Sequence, residues 1–379
     1  MRIKSSSPRW PSRILMGGAA ALLFGLPAGI ISAPMAVAAP ATRLYVATNG
    51  QDTASCTQQA PCLTISHAIS IAPAHAVIDV GPGTYNESLV VTEPLTLQGA
   101  GAGKTIVNGW GKDPGTPYAG TLYIGTTGGT TGGQSGGIGG NVTVSGFTFE
   151  NPNPDAQTYG DGVCLQPILV GVYDGNAADQ ITITHNRLVE GTADPNQTID
   201  GPIGLDTYYS TASLVADHND ISGVWQGALL EDNGPSTLSH NTFTGLIPLN
   251  SPSSCLLSAS TTATYQPEGI LFLADAAGSW TNQEADHNQF SGYAGDGIDV
   301  AAVATSLSGV DIGHNRFTLG GFHGANAIGL FADNGGTLSN VTLSHNDGTV
   351  VAPTVPFAMY GGTITGVVQD HENIRSVNG

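Results

Sequence analysis

The chain has 379 residues, of which 53 are Gly and only 10% are charged; average soluble proteins carry about 7% Gly and about 25% charge, so a helical bundle or coiled coil is excluded. Ten Lys and Arg against 29 Asp and Glu give a formal charge of −19, and Arg2, Lys4, Arg9 and Arg13 all precede residue 38, which leaves six cations for the remainder. Such a chain repels a nucleic-acid backbone or an anionic lipid surface because it has no basic patch to release phosphate counterions, while 40% hydrophobic residues suffice for a large core and exclude disorder.

Residues 1–38 read as an export signal. A basic stretch runs through Arg13, an apolar run follows from Ile14 to Ile31, and Ala36-Val37-Ala38 forms a small-residue cleavage site. The mature chain is therefore expected outside the cell, with no membrane contact after cleavage; no later segment approaches eighteen consecutive apolar residues. Residues 39–75 are expected to hold a strand and an amphipathic helix, because Leu63, Ile65, Ala68, Ile69 and Ala72 have helical spacing over residues 63–72. All four cysteines lie in the mature part. In an exported chain that argues for disulfides; Cys56 to Cys62 closes a natural short loop, which leaves Cys164 with Cys255 among the three pairings that four cysteines permit. The Gly- and Thr-rich stretch 126–140 has no Lys and no following helix pattern, so it reads as a surface loop rather than a phosphate cradle.

Internal repetition dominates the rest of the chain. His-Asn recurs at His185-Asn186, His218-Asn219, His240-Asn241, His287-Asn288, His314-Asn315 and His345-Asn346, at intervals of 33, 22, 47, 27 and 31 residues. Each pair follows an alternating segment such as Ile181-Thr182-Ile183-Thr184, and Val142-Thr143-Val144-Ser145-Gly146-Phe147 is a degenerate copy without the pair. A second pattern precedes it, a Gly-led apolar strand ending in an acid: Ile203-Gly204-Leu205-Asp206, Gly227-Ala228-Leu229-Leu230-Glu231, Gly269 to Asp275, Gly297-Ile298-Asp299-Val300 and Ile328 to Asp333. Two kinds of alternating strand per irregular period describe turns of a solenoid, with apolar side chains stacked inside and Gly, Asn and Asp at the corners. The tail from Val351 holds one or two weak strands, around residues 363–367, that close the far end.

The opening of the mature chain carries a specific resemblance. Leu44 to Gly50, Pro61-Cys62-Leu63-Thr64-Ile65, Val80-Gly81-Pro82-Gly83-Thr84-Tyr85-Asn86-Glu87 and Leu95 to Gly101 resemble secreted bacterial right-handed parallel β-helix proteins of the pectin lyase-like superfamily. That resemblance, over roughly residues 43–350, implies an all-β, right-handed parallel β-helix from about residue 76 to 350, with a short N-terminal capping helix and a closing segment over 351–379. It also implies that the Asn corners form a hydrogen-bonded scaffold ladder and that sugar chains lie along the outer face of one sheet.

Candidate chemistry rests on the acids that end the Gly-led strands. If Leu205, Ile298, Val300, Leu330 and Ala332 point inward, Asp206, Asp299 and Asp333 point outward; Asp275 follows by the same count, and Glu231 follows if Leu230 is inward. Stacked coils would set such carboxylates about 5 or 10 Å apart, the range of glycosidase acid/base pairs, and crowding would raise one partner's pKa as a general acid requires. Asp206, Glu231, Asp275 and Asp299 are accordingly the candidate catalytic acids. Tyr208, Trp225, Tyr293, Phe331 and Asp333 are the candidate sugar contacts, the rings by stacking on pyranose faces. No cofactor is expected, Ca²⁺ being the one ion the carboxylates would suit; a row of stacked imidazoles could instead share a divalent metal, against the plainer reading of solvated turn residues.

The motif sets of polygalacturonases (Asn-Thr-Asp, Asp-Asp, Gly-His-Gly, Arg-Ile-Lys) and the Gln-Asp-Thr-Leu of pectinesterases are missing. Only Arg43, Lys104, Lys112, Arg187, Arg316 and Arg375 remain for a lyase base, so neutral glycans suit the acids better. The expected protein is a monomer that binds polysaccharide, as a glycoside hydrolase or lyase or as a non-catalytic wall-binding or adhesin-like scaffold.

Overall fold

The computed structural model describes residues 41–52, 55–109, 111–112, 119–126, 136–151, 167–190, 202–248 and 267–378. The expected export signal, Cys164 and Cys255, and with them the expected Cys164–Cys255 pairing, lie outside these residues.

Each coil contains three strands. Ile203–Tyr208, Ser213–Asp217 and Asp220–Ser222 make one coil, and Gln226–Glu231, Ser236–Ser239 and Thr242–Thr244 make the next. Strands at equivalent places pair in parallel, Leu205 with Ala228, Leu214 with Ser236 and Ile221 with Phe243, so three parallel faces run the length of a right-handed β-helix. We call them the first, second and third sheets. The first two share one strand where it bends between faces, in Asn326–Ser344 and Val355–Asp370. Parallel pairing begins early, at Arg43–Val46 against Ala76–Val80, and the tail supplies a further coil that ends in Asn373–Val377 on the third sheet.

Inward positions form the core. Leu205, Ile298, Val300, Leu330 and Ala332 are all at most 1% exposed, as alternation requires. On the third sheet Phe243, Phe290 and Phe317 stack at centroid distances of 4.9 and 5.0 Å. Gly227, Gly269 and Gly297 face them. A Cβ on Gly269 would stand 2.6 Å from the Phe290 ring and 2.4 Å from the Gly297 carbonyl oxygen, so only glycine lets the first sheet approach the phenylalanine stack.

The His-Asn corner combines two ladders. Every histidine there occupies the left-handed region, φ 54 to 57°, which turns its neighbour Asn into the interior. Asn219 donates its backbone N–H and its Nδ2 to Asn241 Oδ1 (2.9 and 3.0 Å), while Asn241 donates in the same way to Asn288 Oδ1. Each Nδ2 also reaches a carbonyl of the preceding coil, Asn241 to Ala216 O at 2.9 Å. The ladder of buried amides is thereby satisfied, as buried polar groups must be. It ends on Glu372, whose Oε1 accepts from Asn346. A seventh corner, His371-Glu372, escaped the sequence pattern because Glu replaces Asn.

The N-terminal helix is shorter than its spacing suggests, Ile65–Ile71, with Ile65 and Ala68 buried. Leu63 is 42% exposed, because the chain is not yet helical there. Thr64 caps the helix by accepting from the His67 N–H, and the Glu87 carboxylate accepts from the Ile65 and Ser66 N–H groups at 2.8 and 2.9 Å. Glu87, the acid of the Gly-Thr-Tyr-x-Glu opening, is thus a structural cap for orphan helix donors. The Cys56–Cys62 disulfide is present.

Candidate functional site

The first sheet carries its acids on the outer face, and a register irregularity decides which ones. Gln226 pairs with Glu268 and Ala228 with Ile270, so Gly227 and Gly269 are skipped. These glycines face the core, and Ala228 and Ile270 beside them are fully buried. Two consecutive inward positions reverse the alternation, and the residue before each glycine is turned outward. Gln226, Glu268, Asp296 and Asn326 therefore form one outer column, tied by Gln226 Nε2 to Glu268 Oε2 (2.7 Å) and by the Asn326 N–H to Asp296 Oδ1 (2.6 Å). Counting back from Ile298 by strict alternation puts Asp296 inside, which is why sequence reasoning missed Glu268 and Asp296. The glycine ahead of each apolar run was the available signal.

Asp206 and Asp299 occupy a second outer column, in register as Asp206, Leu229, Leu271, Asp299 and Gly329. They are three strands apart, about 14 Å, rather than the one or two spacings expected. Glu231 does face out, since Leu230 is 2% exposed. Because Glu231 pairs with Tyr208 on one side and Leu273 on the other, Asp206, Glu231 and Asp275 descend as a diagonal over three coils, neighbours about 7–8 Å apart at Cα.

Two acid groups result. In the first, Tyr173 donates its hydroxyl to Asp206 Oδ2 at 2.6 Å. Burial nevertheless pushes the Asp206 carboxyl up to about 7 against that hydrogen bond. Glu231 is pushed up to about 8, first by burial and then by the charges of Asp275, Asp206 and Asp232. Asp232 rises to about 6 through burial, although its carboxylate accepts from the Asp275 and Ala276 N–H groups. In the second group, burial and then Asp296 and Glu268 hold Asp299 well above the carboxylate range. Its Oδ1 has no hydrogen-bond partner among the described residues. The next coil leaves room for it only because residue 329 is glycine, whose Cβ would lie 2.4 Å from that oxygen.

The aromatic candidates divide. Tyr208 sits beside Glu231 in register and meets Tyr209 edge-on at 4.4 Å; Phe331 stacks on Tyr360 at 5.0 Å farther along the same column. Tyr293 is 6% exposed and donates its hydroxyl to the Asp296 carbonyl at 3.0 Å, so its ring packs in the core instead of offering a face to a sugar. Trp225 is half-buried at the turn into Gln226–Glu231, and Asp333 is exposed near the end of the sheet, opposite Val303. Arg187 and Arg316 open strands of the third sheet, away from the acids.

A concavity of about 400 Å³ lies on the second sheet, lined in part by Val215, Thr237, Glu284 and Asp311. Glu284 and Asp311 are direct register partners, so one strand spacing, about 4.8 Å, separates their backbones. Strand-end reasoning overlooked this pair because it sits mid-strand.

A family model described as a protein of unknown function (DUF1565) matches residues 48–223. No curated protein matches the chain. Among solved structures, pectin methylesterase from carrot is similar at 11% identity and a TM-score of 0.39, covering 90% of each chain. Alginate lyase from Paenibacillus sp. is 10% identical, with a TM-score of 0.35 over 82% of this chain and 96% of that one. The A-module of the mannuronan C-5 epimerase AlgE4 from Azotobacter vinelandii is 10% identical, with a TM-score of 0.31 over 83% and 92%. With three parallel sheets wound coil on coil around stacked Phe and Asn ladders, the chain is a right-handed parallel β-helix.

Proposed function

We propose that the chain is an exported protein that binds a neutral polysaccharide along the outer face of the first sheet and hydrolyses it with Asp206 and Glu231. The supporting observation is that these two acids, diagonal neighbours on that face, both have pKa values raised by burial, to about 7 and about 8. A glycosidase needs a carboxyl that keeps its proton at neutral pH for the leaving oxygen, and a second that accepts one from water. Glu231, with the higher value, is the acid; Asp206, held by Tyr173, is the base. With both side chains leaving the same face, carboxyls spaced like their Cα atoms, about 7–8 Å, would have the separation of inverting enzymes, about 6.5–9.5 Å. Tyr208, Phe331 and Tyr360 supply aromatic surface along the same column.

The test is product release from a panel of neutral and uronic glycans, together with binding by affinity electrophoresis. Wild type is expected to release reducing ends from a neutral glycan; Glu231→Gln and Asp206→Asn should each lower kcat by about 10²-fold or more with binding retained. Binding without turnover on any glycan would reject hydrolysis in favour of a wall-binding scaffold, and absence of binding would reject the whole reading.

A further inference from the structure

The histidine corners form a second constellation, on the edge between the second and third sheets and separate from the acid face. His185, His218, His240, His287, His314, His345 and His371 stack ring on ring, with centroids 4.6 to 5.0 Å apart and planes within 17°. The residue before each histidine is Thr184, Asp217, Ser239, Asp286, Gly313, Ser344 and Asp370 in turn. Asp217 contacts the Nδ1 of its own His218 at 2.7 Å and that of His240 in the next coil at 3.4 Å. Asp286 repeats the arrangement with His287 at 2.6 Å and His314 at 3.1 Å. Four of the seven rings thus form two pairs, each bridged by one carboxylate and each half-exposed (46–49%).

We propose that each of these Asp-His-His sets binds one transition-metal dication of the Zn²⁺ class. Two imidazole nitrogens and a carboxylate are a donor set that suits such ions, with metal–ligand bonds of about 2.0–2.2 Å, and leave a position for water. In both sets the three ligand atoms already lie within 4.8 Å of one another, and the metal takes the place of the direct contacts between Nδ1 and carboxylate. Parallel rings about 4.8 Å apart cannot both aim a lone pair at one ion, so the rings of a pair tilt together at their Nδ1 edges. Half exposure leaves them free to do so. A carboxylate in alternate coils lets pairs pinch while the gap to the next pair widens; a carboxylate in every coil would set each ring competing between two ions. The backbone needs no adjustment, since every histidine already holds the same left-handed corner.

The experiment is isothermal titration of the tag-free chain, stripped with EDTA and dialysed, with ZnCl₂. Saturable binding is expected, with Asp217→Asn and Asp286→Asn each lowering the stoichiometry by one ion and the double variant by two, while Glu284→Gln leaves it unchanged. Ca²⁺ should not compete, because imidazole is a poor ligand for it. A circular-dichroism melt confirms that each variant is folded; these are exposed corners, and Asn keeps the side-chain shape. No saturable uptake by the wild-type chain, or undiminished stoichiometry in the folded double variant, overturns the proposal.

Discussion

Asp206, Glu231 and Glu190 bind protons for a physical reason that can be measured without any substrate. Burial raises Glu190 and Glu231 to about 8 and Asp206 to about 7, so the folded chain holds protons that the unfolded chain, with ordinary carboxyls near pH 4, has already released. The unfolded state binds fewer protons in that window, and the unfolding free energy must fall as pH rises from about 4 to about 8. Calorimetric melting temperatures should decline from pH 5 to pH 8, and Glu190→Gln with Glu231→Gln should flatten the decline because an amide has no proton to lose. A melting temperature that rises through the window would contradict the assignment. The outward direction of Asp206 and Asp299 was legible from period-2 alternation alone. Their burial was not, since it depends on what other coils place around them, and residues far apart in sequence decide that.

At the scale of the element, corner side chains one residue apart carry very different weight. Replacing Asn241 by Ala would take one donor from Asn288 Oδ1 and strand the Asn219 N–H and the Ala216 carbonyl, each stranded group costing about 1–3 kcal/mol when buried without a partner. The neighbouring His240→Gly relieves a left-handed φ of 54° and removes only a half-exposed ring, so its effect should stay within about 1 kcal/mol. Urea unfolding midpoints for the two variants should differ accordingly; equal losses would mean that the ladder is not what holds the corner. The His-Asn repeat made these corners visible in the sequence, down to their irregular spacing. The first sheet was only half legible, because a glycine that resets alternation turns the residue before it, as at Asp296, through half a turn. The last corner hid behind a single change of residue type, Glu372 for Asn.

Taken whole, the molecule is a stack in which each coil touches only its neighbours, so stability should vary along its length. The last coil has one neighbour. Met359 there is 54% exposed, whereas its register partner Leu330 in the preceding coil is fully buried, and Val368, Tyr360 and Val377 all exceed 40%. Hydrogen exchange should therefore be fastest in Val355–Asp370 and Asn373–Val377 and slowest between Leu205 and Phe317, with the N-terminal coils protected by the Ile65–Ile71 cap. Uniform protection from end to end would show that something else covers the final coil.

The amide ladder also has a polarity. Every rung gives its backbone N–H to the Oδ1 of the next coil toward the C-terminus and accepts at its own Oδ1 from the N-terminal side, beginning where Asn186 Oδ1 accepts from the Phe147 N–H and ending on the Glu372 carboxylate. Since all intermediate links are alike, a duplicated or excised coil rejoins the same donor to the same acceptor and leaves both termini of the string intact. The length of the solenoid is accordingly an adjustable quantity, and lineages or designers can ratchet its span in whole turns without rebuilding either end.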